Sequence, residues 1–157
     1  KPDREVAMGA YNWLTINRYN NNNKNNTIDC IKSLKNKGYR IIATSPDKSQ
    51  KDLKNYDLSK GKTALFFGAE IKGLSDQVIN NADEHLHIPM YGFTESFNLS
   101  VSAAICLYEM RMKMEKENFK WQMTEDEKNQ VLLNWLRYSI NRSEIVEQDF
   151  LNNRLGC

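Results

Sequence analysis

The sequence predicts an α/β fold: a mostly parallel sheet with helices on both faces, followed by a helical C-terminal tail. Three observations carry this expectation. A strand, a helix and a second strand follow one another within a short span, and parallel neighbours need such a connection over the sheet face. The same unit then recurs. Beyond it, apolar residues return only at helical spacing.

The elements follow in order. Trp13-Leu14-Thr15-Ile16 reads as a short strand, and the polar run from Asn20 to Asn26 as a loop too poor in apolar surface to fold by itself. Thr27 is placed to cap a helix whose Ile28, Ile31 and Leu34 share a face, with Gly38 as its left-handed stop. Tyr39 to Thr44 forms the next strand, broken by Ser45-Pro46. Thr63 to Phe67 is a near-continuous apolar run, as expected of a strand covered on both sides. Ser75 is placed to cap a helix carrying Val78, Ile79 and Ala82, and His85 to Ile88 is the following strand.

Ser96 or Asn98 opens the longest helix. Val101, Ala104, Ile105, Tyr108 and Met112 stripe one side of it, facing a core or a second subunit, while Glu109, Arg111, Lys113 and Glu115 face away. Thr124-Glu125-Asp126-Glu127 is a capping box for a helix bearing Val131, Leu132, Trp135 and Leu136, and a shorter helix follows from Ser143. We divide the chain at residues 1–118 and 119–157, the second part being the helical extension.

Composition sets further bounds. A chain of 157 residues suits one domain with a substantial core. With 22 basic and 20 acidic residues the formal charge is only +2, so composition alone does not mark a nucleic-acid binder. Basic residues such as Arg18, Lys24, Lys32, Lys35, Lys37, Arg40, Lys113, Lys116 and Lys120 read either as an RNA track or as solvated surface. Cys30, Cys106 and Cys157 form neither a disulfide framework nor a zinc pattern; the first two read as small core residues. His85 and His87 are taken to point to opposite faces of one strand, and no metal site is expected. No apolar run approaches a membrane span, and the cytoplasm is the expected compartment.

Two strands end in loops suited to gripping a small molecule through the backbone. They are Phe66-Phe67-Gly68-Ala69-Glu70-Ile71-Lys72-Gly73-Leu74-Ser75 and Ile88-Pro89-Met90-Tyr91-Gly92-Phe93-Thr94-Glu95-Ser96-Phe97-Asn98-Leu99-Ser100-Val101-Ser102. Glycine permits close backbone approach, and strand ends are the ligand edge of an open α/β sheet. On local sequence alone, Gly68 and Gly73 serve equally well as a plain turn, and Ser96 or Asn98 as a plain helix cap.

These two segments resemble the second and third signature motifs of the SpoU, or TrmH, family of RNA ribose 2'-O-methyltransferases, in the SPOUT class. The Ile-Pro-Met opening, the Ser-x-Asn-x-Ser-Val close and the spacing all match, and Val6-Ala7-Met8-Gly9-Ala10 with Trp13 resembles the branch that modifies transfer RNA. The resemblance implies a C-terminal trefoil knot in which the loops meet and hold S-adenosylmethionine. Thr44, Gly68, Ile88 and Phe97 are then the cofactor contacts, with Met90 as a wall residue. Glu70, Ser96 and Asn98 are the implied catalytic residues beside the target ribose. Phe97 departs from the family's Leu, and Ala69 from a position often polar.

The resemblance also implies a homodimer and an RNA substrate, with a transfer-RNA D-loop guanosine (the guanosine-18 type) favoured. The alternatives are a ribosomal-RNA enzyme of the same family and a non-catalytic RNA-binding paralogue. A dinucleotide oxidoreductase is a weaker reading, because no Gly-x-Gly-x-x-Gly follows the first strand. The family's first motif, with its Arg, has no match in Lys1 to Glu5, so the sequence reads as part of a longer protein and is expected to be catalytically poor as given.

Overall fold

The computed structural model describes residues 13–21, 25–69, 71–94 and 96–155. They fall into two compact units, one spanning Tyr19–Lys120, the other joining the described residues before Tyr19 to those from Trp121 onward.

The first unit is built on a four-stranded parallel sheet of order β2-β4-β1-β3, with β1 at Arg40–Ser45, β2 at Lys51–Asp52, β3 at Thr63–Phe66 and β4 at Glu84–His87. Ile42 pairs with Leu65 of β3 on one side of β1, and Thr44 with Leu86 of β4 on the other. Three helices accompany the sheet: α1 at Asn26–Asn36, α2 at Asp76–Asn81 and α3 at Leu99–Lys116.

The period-2 alternation of β1 splits the core in two. Ile41 and Ala43 pack with Ile31 of α1 and Val78 of α2. Ile42 turns the other way, joining Leu86, Leu53, Tyr56 and Leu58 with Cys106 and Met110 of α3. Helices therefore cover both faces, and a central strand buried on each side needs the apolar run Ile41-Ile42-Ala43. Cys106 is a core residue as expected, and burial pushes its thiol up to about 11. Gly38 ends α1 with φ +77°, and the Tyr39 N–H reaches back to the Leu34 carbonyl at 3.0 Å.

Below the sheet, at the start of its strands, a polar network fixes the register. Arg40 pairs with Glu84, donates to the Asp57 carbonyl at 2.8 Å and lies over the Tyr56 ring. Asp83 accepts from the Ile41 N–H at 2.7 Å and from Lys35 at 3.1 Å.

Several expectations need correction. Trp13 to Ile16 forms no strand: Trp13 sits in a single turn, and its ring meets Trp135 edge-on, centroids 5.1 Å apart. Thr27 lies inside α1, which begins at Asn26 without a side-chain cap, and Ser75 precedes α2 without a capping bond. β3 is an edge strand among the described residues and half-buried, so its apolar run does not reflect full cover.

α3 is turned relative to the predicted stripe. Cys106 and Met110 face the core with Ile105 and Met114 beside them, while Val101, Tyr108 and Met112 are exposed. Lys113, expected in solvent, donates to the Lys54 carbonyl and to the Tyr56 carbonyl at 2.9 Å. Apolar residues lie all around this helix, so its period admits two phases and the sequence alone does not choose between them. His85 and His87 share a face, because residues two apart on a strand point the same way, which corrects the expectation of opposite faces.

In the second unit α4 spans Glu125–Ser139 and α5 spans Ser143–Leu155. The capping box is present in both directions: Thr124 Oγ1 accepts from the Glu127 N–H at 3.3 Å, and Glu127 accepts from the Thr124 N–H at 2.8 Å. Arg137 pairs with Glu147 to link the two helices. No helix among the described residues is long and apolar enough to cross a membrane.

Candidate functional site

Parallel strands deliver all their following loops to one edge, and here that edge is hollow. A cavity of about 610 Å³ opens where β1, β3 and β4 end. Thr44, Gly68, Ile88, Met90, Ser96 and Phe97, from three separate loops, all line it. Glu70 lies outside the described residues, as do Val6 to Ala10 and Cys157. Asn98 does not line the cavity; it caps α3, its side-chain oxygen accepting from the Ser100 N–H at 2.9 Å and the Ser100 hydroxyl at 2.6 Å.

Each position has a local cause. The Thr44 hydroxyl donates to the Phe66 carbonyl at 2.9 Å, tying the end of β1 to the end of β3. After β3 the chain turns back on itself, with paired bonds between Ala69 and Gly73 of 3.0 and 2.8 Å. This return runs directly over Gly68. A Cβ there would stand 2.1 Å from the Gly73 carbonyl carbon and 2.4 Å from the Leu74 nitrogen, closer than any side chain tolerates. The two glycines do serve a tight turn, and that turn shapes this wall of the cavity.

The loop after β1, expected at the site from the resemblance, supplies residues beyond Thr44 that the sequence reading did not name. Ser45, Pro46, Asp47 and Gln50 line the cavity. Asp47 accepts from the Ser49 N–H at 2.9 Å, the Ser49 hydroxyl at 2.8 Å and the Gln50 amide at 3.0 Å. The Gln50 bond first and the Ser49 bonds next hold its carboxyl down to about 2. The Ser45-Pro46 break after β1 was the available signal, since a strand end on the ligand edge is where such groups collect. Lys72, Leu74 and Leu99, from the two loops marked in the sequence, also line the cavity, as do His85 and Ile79, which carried no local signal.

Chemically the cavity combines apolar walls, several main-chain groups at strand ends, one described carboxylate and a lysine. That donor set, with apolar walls and one group of each charge, suits a nucleoside-like ligand. Among the described residues, no group of three or more His, Cys, Asp or Glu could hold a metal ion.

Comparison with known proteins agrees with this geometry. The family model described as the SpoU rRNA Methylase family matches residues 3–108. A Borreliella burgdorferi protein named tRNA (guanosine(18)-2'-O)-methyltransferase is 36% identical over 143 residues, covering 91% of this chain and 63% of that protein. An Aquifex aeolicus protein of the same name is 29% identical over 137 residues, covering 86% of this chain and 62% of its own length. The chain thus spans less than two thirds of these relatives. A crystal structure of the A. aeolicus TrmH/SpoU tRNA modifying enzyme superposes with a TM-score of 0.73 at 25% identity, over 90% of this chain and 70% of that one.

Proposed function

The chain belongs to the SpoU rRNA methylase family, and from that premise we propose that it serves the transfer of a methyl group from S-adenosylmethionine to a ribose 2'-hydroxyl of transfer RNA. A D-loop guanosine of the guanosine-18 type is the proposed target, and the cytoplasm the proposed compartment. The carrying observation is the cavity at the strand ends, where six of the eight residues singled out from the sequence meet. The names of the Borreliella and Aquifex relatives support the substrate.

The cavity fits the cofactor. About 610 Å³ lies within the range of small-molecule sites, and its apolar walls are suited to an adenine. Main-chain groups of Thr44, Gly68, Ile88 and Phe97 are the proposed contacts, with Met90 as part of the wall. When bound, S-adenosylmethionine supplies a methyl group already activated by its sulfonium. The chain's own task is then orientation: in-line placement of a hydroxyl against that methyl accounts for much of such a rate gain.

Ser96, which lines the cavity, is the proposed group that orients the ribose hydroxyl, and Glu70, by the family match alone, is the other proposed catalytic residue. Asn98 supports them by fixing the start of α3. We further propose that the loops meeting at the cavity form a trefoil knot, that residues 1–118 form the methyltransferase domain with 119–157 as its extension, and that the chain works as a homodimer through the exposed side of α3.

Transfer of labelled methyl by the full-length protein to an unmodified transfer-RNA transcript tests the reading, with the same transcript already 2'-O-methylated at the D-loop guanosine as control. Label in the first alone is the expected result. Label in ribosomal RNA alone would move the substrate, and cofactor-analogue binding without any transfer would favour a non-catalytic RNA-binding role.

A further inference from the structure

In the loop after β1, Asp47 is a charged group to which the resemblance assigns no role. Of the charged groups described around the cavity, Asp47 is the one carboxylate, facing a space otherwise bounded by apolar side chains, main chain, Lys72 and His85. All three of its hydrogen bonds come from uncharged donors, the Ser49 N–H and hydroxyl and the Gln50 amide. They hold the carboxylate in place without neutralising it. Asp47 also makes no ion pair among the described residues. A carboxylate offers about four acceptor positions, so three bonds leave room for one further donor.

We propose that Asp47 binds the α-ammonium of the cofactor's amino-acid tail and so fixes which way the methyl donor lies in the cavity. The inference rests on the cofactor assignment above and adds a residue to it. The adenine has an apolar alternative in Leu74, Ile79, Met90 and Phe97, whereas the polar loop of Ser45, Asp47 and Gln50, with Asp47 exposed, suits the charged end.

The plain alternative is that Asp47 only closes its own loop. Titration calorimetry of the chain with S-adenosylhomocysteine, which keeps the tail, and with 5'-methylthioadenosine, which lacks it, separates the two. D47N is compared with S49A, which removes one of the loop bonds but leaves the charge. The expected result is about a tenfold loss of S-adenosylhomocysteine affinity in D47N, equivalent to about 1.4 kcal/mol, with S49A close to the original chain and methylthioadenosine indifferent to both changes.

Equal losses in D47N and S49A, an equal loss for both ligands, or no loss in D47N would overturn the assignment while leaving the cofactor reading intact. Failure of the unaltered chain to bind either ligand would instead overturn the cofactor reading and this inference with it.

Discussion

Gly68 shows how much a single residue settles. The neighbouring main chain occupies the place of its missing side chain, so Gly68→Ala must open the Ala69–Gly73 return. We expect a destabilisation of about 1–3 kcal/mol from overpacking, read as a lower urea midpoint. Asp83 makes a second case. Burial works against its charge, but the Ile41 N–H and Lys35 outweigh it and the carboxyl is held below its ordinary value. A carboxyl lowered on folding stabilises the protein above the unfolded-state value of about 3.9 and loses that contribution as pH falls through the folded value. Asp83→Asn should therefore cost about 1–2 kcal/mol at pH 7, chiefly through the Ile41 bond because the Lys35 pair is open to water. The cost should shrink in urea titrations near pH 3, and an equal cost at both pH values would contradict it. Thr44, Gly68, Ile88, Met90, Ser96 and Phe97 were legible because glycines, strand ends and the matched motifs mark them. Asp47 was not, since one aspartate after a proline looks like any loop residue until the fold brings it to the cavity.

At the scale of elements, α3 carries the sharpest contrast between sequence and structure. Its helical extent and its Asn98 start were readable, but the phase was not: a chain with Val101, Tyr108 and Met112 on one side and Cys106 and Met110 on another satisfies helical periodicity twice. The core took the second set. The first remains in solvent, with Tyr108 67% exposed and Met112 44%, and positions 101, 104, 108 and 112 follow one face. If this face seats a second copy, Tyr108→Asp should convert a dimer to a monomer in sedimentation equilibrium while leaving the far-UV spectrum unchanged. A chain that is monomeric before the substitution would rule the interface out. The edge position of β3 and the two-residue β2 escaped prediction for a related reason: hydrophobic runs report burial but not which neighbour supplies it. Arg40 and Lys113, offered as part of an RNA track, are instead committed to Glu84 and to the Tyr56 carbonyl.

For the whole molecule, the parallel order of the sheet is what turns scattered motifs into one site, because it sends the loops of β1, β3 and β4 to the same edge. Both the parallel sheet and the helical tail were foreseeable from alternating patterns, but the grouping of Trp13 with Trp135 was not, as nothing local joins residues so far apart. A ligand confined to the sheet unit should raise that unit's calorimetric transition, by about 2.7 kcal/mol at a hundredfold excess over its dissociation constant. A sheet-unit transition that does not move on adding the ligand would contradict this.

The central claim is that the hollow at the strand ends holds the methyl donor. Titration calorimetry with S-adenosylhomocysteine on the unaltered chain and on Gly68→Ala tests it most directly. One site per chain in the first, weakened at least about tenfold in the second, is the predicted result; absence of binding at millimolar ligand, or equal binding in both, would contradict it.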